Sequence, residues 1–341
     1  MSKRNGFLMI YALGFGLILM LAGIFSYGQT TALTPHPLAV VKVERGEGLG
    51  RVLRRMEKDH GVSRRFLRLL AVLRGDSTRI KAGEFVVQGP VSSNQLLNLL
   101  ISGESRIDRL TIPEGYNLMD ISAKLEQRGI ASGRKFLEIT HNPRFIAKLN
   151  LPEGFSKETL EGLIFPETYY FSAGVDEREI AAHMVGEFTR RAMGEITEGG
   201  SPSGLTPYQI LILASIIEKE TGVGSERPLI SAVFHNRLKI NMPLATDPTV
   251  IYGVKDFNGN LTREHLQTPS AYNTYINQGL PPTPIANPGL ESIRAAMNPA
   301  RVKYLFFVGK GDGTHFFSSD YKTHSQAVFK YQVLPNRKRK H

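Results

Sequence analysis

The stretch from Thr206 to Gly222 limits the possible folds more than any other part of this chain. Thr206 and Gln209 form a capping box, and Pro207 suits a first helical position. Gly222 suits a helix stop, so a helix is predicted from Pro207 to Thr221. Ser215 is the single polar side chain between Ile210 and Ile217. Such a helix is apolar all round and must be buried on nearly every face. The chain therefore has to build a substantial core around it, and 341 residues suffice for about two domains.

The apolar run ends in Glu218. That residue falls in the last turn, where the partial negative end of the helix macrodipole disfavours a second negative charge. Partial burial acts in the same direction. Both effects hold a proton more tightly, which a general acid working near neutral pH requires. The simpler alternative is a surface glutamate at a helix end, paired with a lysine. Glu220 lies about 200° further around the axis. It faces away from Glu218 and is expected to be structural, bonded to a neighbouring backbone or basic group. A glycosidase of the usual kind needs two carboxylates, and Glu167 and Asp247 are the candidates for the second.

Other blocks are dense in polar, aromatic and small residues. Leu163–Phe171 places Glu167 and Tyr169 among aromatic rings, which suit the apolar faces of sugars. Phe234–Leu238 carries Asn236, and Pro243–Thr249 reads as a turn bearing Asp247. Ser270–Tyr275 carries Tyr272 and Asn273, and Gly279–Pro288 is too rich in proline for regular structure. Each block alone has a structural alternative as a cap, a turn or core, but rigid loops beside apolar elements are where sites are commonly built.

The N-terminus sets a location. Residues 1–5 carry Lys3 and Arg4, residues 6–27 carry no charge, and the next basic residue is Lys42. About 20 apolar residues match a bilayer core. Positive charge on the N-terminal side alone predicts a cytoplasmic tail (1–5), a single transmembrane helix (6–27) and an exported remainder. A cleaved signal peptide is the competing reading, with an apolar region of about 7–15 residues; the run from Phe7 to Phe25 is longer.

Residues 28–38 read as a linker. A weak repeat follows at an offset of 69, with Val43–Val52 resembling Ile112–Ile121. Each copy predicts a strand, a glycine turn and an amphipathic helix, then a second basic helix around Arg64–Leu73 or Arg134–Thr140. Residues 39–106 thus form either a generic strand–helix unit or a small LysM-like α/β module for N-acetylated sugars. Residues 107–335 read as a larger α+β domain. Its expected helices include Asp176–Ile196, Pro228–Lys239 and Pro288–Met297, the last capped by Asn287. Strands are expected at Lys303–Val308 and Thr314–Ser318 across a Gly-Asp-Gly turn, with a last helix after Asp320. Residues 336–341 form a basic tail.

The net charge of +11, from 42 basic and 31 acidic residues, favours anionic partners. Export makes these lipid headgroups or wall polymer rather than nucleic acid. The absence of cysteine excludes disulfides, thiolate zinc sites and cysteine nucleophiles. His235, His315 and His324 lack metal-ligand spacing, and no H-E-x-x-H, G-x-S-x-G or P-loop is present. No metal or cofactor is expected.

The blocks Phe165–Tyr169, Ala214–Glu220, Phe234–Leu238, Thr246–Thr249, Tyr272–Tyr275 and Gly279–Pro282 occur in an order that resembles the YceG-like endolytic murein transglycosylases, close to the enterobacterial type. Thr246 stands at the usual hydroxyl position of that pattern, and Ala271 where many members carry proline. The resemblance covers nearly the whole chain. It implies an α+β catalytic domain that cleaves the β-1,4 bond between N-acetylmuramic acid and N-acetylglucosamine within nascent peptidoglycan, leaving 1,6-anhydro ends. It matches Glu218 to the catalytic acid/base, and makes Asn236, Asp247, Tyr272 and Asn273 sugar-binding candidates beside Glu167 and Tyr169. It also implies a periplasmic catalytic domain at the inner membrane, glycan strands as substrate and penicillin-binding synthases as partners. The alternatives are a two-carboxylate muramidase-type hydrolase and a non-catalytic wall-binding scaffold.

Overall fold

The computed structural model describes residues 30–33, 38–88, 90–102, 107–172, 174–198, 204–255 and 257–335, with separate positions between 16 and 28. The expected tails, 1–5 and 336–341, and most of the expected membrane helix, 6–27, lie outside the described residues. Among the described residues no helix is long and apolar enough to cross a membrane. The chain divides into two compact units, Met1–Arg109 with Tyr170–Gly174 and Leu110–Tyr169 with Val175–His341.

In the first unit, β1 (Thr31–Leu33) pairs with the short β4 (Val91–Ser92), so the expected linker contains a strand. Strand β2 (Leu38–Val43) pairs antiparallel with β3 (Gly83–Gln88), with Val41 opposite Phe85. Ala39, Val41 and Val43 are buried while Val40 is exposed, the alternation of a one-sided sheet. Between these strands lie α1 (Leu49–His60) and α2 (Arg64–Leu73), and α3 (Ser93–Ser102) follows β4. Leu49, Val52, Leu53 and Met56 recur at three- and four-residue spacing and form the buried stripe of α1.

The repeat is visible in the backbone. Gly46 and Gly115 both have φ of 77°, and each follows a strand and precedes a helix. In the second copy these are β5 (Ile107–Thr111) and α4 (Leu118–Gln127), then α5 (Gly133–Thr140). The left-handed turn explains the glycine at both positions. Strand β5 pairs with β6 (Thr168–Ser172).

The second unit is built around α7 (Pro207–Glu220), preceded by α6 (Glu177–Phe188). The capping box is present, with Gln209 N–H donating to Thr206 Oγ1 and Thr206 N–H to Gln209 Oε1. Residues 210–217 are all buried, and each large aliphatic side chain among them contributes roughly 1.5–3 kcal/mol by leaving water. Helix α7 packs against α8 (Arg227–Lys239), α9 (Asp247–Gly253) and α10 (Leu290–Met297). Gly222 stands just past the C-cap Thr221, without the left-handed backbone usual for a glycine stop. Thr221 turns extended, with φ of −146°, and its hydroxyl accepts the Val223 N–H at 3.0 Å. Hairpin β7 (Phe306–Gly309) and β8 (His315–Ser318) turns through Gly311 and Gly313, both at φ 87°. Helix α11 (Tyr321–Val328) follows, capped by Asp320.

Candidate active site

The two glutamates at the end of α7 face different surroundings. Glu218 is nearly closed to solvent. Its Oε2 accepts the Gly289 N–H at 3.0 Å, and its Oε1 lies 3.5 Å from Arg227 Nη2. The same guanidinium nitrogen sits 3.6 Å from the half-exposed Glu114. Glu114 packs so closely on Gly289 that a Cβ at 289 would overlap its carboxylate. Lys219 reaches Gly115 O at 3.2 Å instead of pairing with Glu218. Glu218 is thus neither a surface residue nor paired with a lysine.

Glu220 opens onto a cavity of about 660 Å³, also lined by Arg237, Thr246, Asp247, Tyr275 and His315, with Phe306, Phe307 and Tyr321 contributing aromatic surface. The Thr246 hydroxyl donates to Glu220 Oε1. Burial pushes the Glu220 carboxyl up to about 6; Asp247 adds to the rise, while the Thr246 hydrogen bond, His315 and Arg237 oppose it. Asp247 accepts the Tyr275 hydroxyl at 2.6 Å. Arg237 is held by Leu305 O at 2.7 Å and Leu244 O at 2.6 Å, so its charge is fixed in place. His315 donates its N–H to Glu226 Oε1 at 2.8 Å, and its Nδ1 lies 2.7 Å from Glu226 Oε2.

The segment carrying Thr246 and Asp247 is strapped into position. Ala245 N–H donates to Thr274 O at 2.9 Å, Thr246 N–H to Thr274 Oγ1 at 3.2 Å, and Thr249 Oγ1 to Thr246 O at 2.8 Å. Ala245 has φ of 45°, a left-handed conformation that costs an alanine about 1–2 kcal/mol. An over-determined outlier of this kind is a mark of functional sites. Asp247 itself begins α9 instead of sitting in an irregular turn.

A second buried carboxylate was not among the sequence candidates. Glu161, in the segment between α5 and β6, accepts the Leu118 N–H at 3.1 and 3.2 Å, Asn287 Nδ2 at 3.1 Å and the Tyr252 hydroxyl at 3.0 Å. Burial raises its carboxyl to about 7. Asn287 does not cap α10, where Gly289 stands at the N-cap. It accepts the Ile164 N–H at 2.9 Å and donates to Tyr116 O at 2.9 Å, while its backbone pairs with Gly115 and Tyr116. Ser215, the one polar residue of the apolar run, accepts the Ile285 N–H at 3.0 Å. The proline-rich loop is therefore pinned from two sides, next to the backbone that holds Glu218. Gly162, at φ 83°, lets Pro284 pack where a Cβ would fall 2.5 Å away.

Of the other sequence candidates, only Asp247 joins Glu220 at the large cavity. Asn236 donates to Val302 O and Tyr304 O, each at 2.9 Å. Asn273 is fully buried and ties Leu266 O, Thr268 O and the Tyr275 N–H. Tyr272 bonds Thr283 and packs on Tyr252, with ring centroids 4.9 Å apart. Glu167 pairs with Arg191 at 2.7 Å. Tyr169 is buried with its hydroxyl donating to Phe165 O. Each of these five thus has a partner within the protein, and Glu167 with Arg191 stays part-exposed. The cavity residues Arg237, Thr246 and Tyr275 lie in the same motif blocks and went unselected. Among the described residues no group of three or more His, Asp and Glu could hold a metal.

The model of the YceG-like family matches residues 41–330. The chain is 30% identical over 269 residues to an endolytic murein transglycosylase of Bacillus subtilis (strain 168), covering 76% of this chain and 75% of that protein. It is 27% identical over 279 residues to an endolytic murein transglycosylase of Streptococcus pneumoniae serotype 2, of which it spans half. The crystal structure of a putative yceG-like protein from Listeria monocytogenes is similar, with a TM-score of 0.57 at 26% identity, over 86% of this chain and 99% of that one.

Proposed function

This chain belongs to the YceG-like family, and on that premise we propose that it is an endolytic murein transglycosylase whose acid/base carboxylate is Glu218, the residue matched by the resemblance. The observation that carries the choice is the setting of Glu218 at the end of the buried helix α7, with the Gly289 N–H and Arg227 at its two oxygens and Glu114 close by. Glu114 and Gly115 beside it line a cavity of about 620 Å³, within the usual 300–1,000 Å³ range of ligand sites. Glu220, which holds the Thr246 hydroxyl at the cavity of about 660 Å³, is the alternative carboxylate.

The chemistry needs one group that gives and then takes a proton. Protonated Glu218 donates to the glycosidic oxygen as the C1–O bond of the muramyl residue breaks. The resulting carboxylate then removes the proton from the muramyl 6-hydroxyl as that oxygen bonds to C1, closing the 1,6-anhydro ring. Glu218 ends protonated, as it began. The Gly289 N–H and the Arg227 guanidinium beside its two oxygens support the carboxylate formed halfway through the cycle.

Mass spectrometry of purified glycan strands after digestion tests the reaction. Internal cleavage with 1,6-anhydromuramic ends is expected. Hydrated reducing ends would replace the proposal with hydrolysis by Glu218 together with Asp247 or Glu167, and uncut strands would leave a wall-binding scaffold.

We also propose that residues 6–27 are an uncleaved anchor, that residues 39–106 are a LysM-like glycan-binding module, and that the enzyme ends strand elongation beside the peptidoglycan synthases at the outer face of the inner membrane. The uncharged run with basic residues on one side supports the orientation. A phosphatase fused at the C-terminus should be active, and the full-length chain should stay with membranes after carbonate washing. An inactive fusion would reverse the topology, and release into the wash would favour a cleaved leader.

A further inference from the structure

We infer that the basic cleft between α1 and α2, with the exposed apolar edge of α2, is a docking face for an anionic phospholipid surface. Four arginines, Arg51, Arg54, Arg64 and Arg68, line one cleft of about 500 Å³. Among the described residues none of the four has an ion-pair partner, and Arg51 alone donates to a protein acceptor, Gly46 O at 3.3 Å. Other arginines of the same unit do pair: Arg55 with Glu47, and Arg74 and Arg79 with Asp76. The cleft therefore gathers four arginines without a carboxylate partner.

The second observation is apolar. Helix α2 buries Leu67, Leu70 and Ala71, yet Leu69, Val72 and Leu73 are exposed by 42%, 60% and 49%. Val72 also lines the arginine cleft. Large aliphatic side chains beside guanidinium groups on one outward face suit the headgroup–acyl boundary. Arginine meets lipid phosphate there while the aliphatic edge enters the hydrocarbon. A glycan groove would be expected to present aromatic rings and amide or hydroxyl donors. No aromatic side chain lines this cleft, and Ser77 is its only hydroxyl. The uncharged run at 6–27 precedes these two helices in the chain, which favours lipid over wall polymer as the nearest anion.

The absence of cysteine gives a labelling test with no background. The full-length protein carries one cysteine, Val72→Cys or Leu69→Cys, bearing an environment-sensitive nitrobenzoxadiazole. Met119→Cys, on an exposed residue of the other unit, is the control. Each is reconstituted into vesicles of phosphatidylcholine, with or without one-third phosphatidylglycerol by the experimenter's choice of mixture. The probes on α2 should shift to the blue and be quenched by nitroxide lipid in the anionic vesicles, and molar salt should reverse this. Replacing the four arginines by glutamine should lower the ratio of docked to free label about fivefold for each, since a basic residue near an anionic surface contributes about 1 kcal/mol. Circular dichroism checks that the variants fold. Unquenched α2 probes, quenching equal in both vesicle types, or a response to soluble wall fragments without one to lipid would each overturn the inference.

Discussion

Glu218→Gln is expected to lower glycan cleavage by about 10²–10⁴-fold, the usual contribution of a general acid/base, while Glu220→Gln keeps most of the activity. The substitution at 218 is close to isosteric, and the amide oxygen can still accept the Gly289 N–H. What it removes is the proton that must reach the leaving oxygen. At 220 the amide oxygen can still accept the Thr246 hydroxyl, so the backbone around it should stay in place. Rates of anhydro-end formation by the two variants separate the roles. Loss of activity in Glu220→Gln with survival in Glu218→Gln would give the role to Glu220. The pH profile adds an independent check on that alternative. Burial pushes the Glu220 carboxyl up to about 6, so a Glu220 acid would give a kcat/KM that falls beyond about pH 6, and the fall would be absent from Glu220→Gln.

The contrast between these two glutamates marks how far the sequence could be read. The helix, its capping box and its burial were legible, because Thr206, Pro207, Gln209 and the apolar run act within a few residues of one another. Helical geometry also predicted that the two carboxylates face apart. It could not tell which face meets a cavity, because that depends on β7, β8 and α11, far along the chain. The same limit applies to Asn236 and Asn273. An asparagine that ties backbone carbonyls and one that grips an acetamido group read identically as letters. Gly222 marked the end of the helix to within a residue, but the turn there is made by Thr221, extended and with its hydroxyl accepting a local N–H. Glu161 did leave a trace, as a lone acid in the apolar segment from Leu160 to Phe165, yet its partners come from residues 118, 252 and 287.

That distant set of partners makes Glu161 the site of the second large effect. Glu161→Ala strands the Leu118 N–H, the Asn287 amide and the Tyr252 hydroxyl in the interior. Each stranded donor costs about 1–3 kcal/mol, so a loss of roughly 3–5 kcal/mol is expected, at the upper end for a single substitution. The carboxyl sits near 7 in the folded protein, against an ordinary value of 4.5. Between these values the folded state holds the proton and the unfolded state does not. Stability from this group is therefore fully present below about 4.5 and is lost as pH rises toward 7. Glu161→Gln resembles the protonated form and does not titrate. Urea unfolding of both proteins at pH 5 and pH 8 isolates the effect from the other carboxylates, including Glu220, which shifts in the same sense. The wild type should lose more stability than Glu161→Gln on going to pH 8. Equal losses would mean that Glu161 is ionised in the folded protein throughout. In that case the Leu118 N–H and the Asn287 amide would be held by a buried charge, and Glu161→Gln should weaken that hold at every pH.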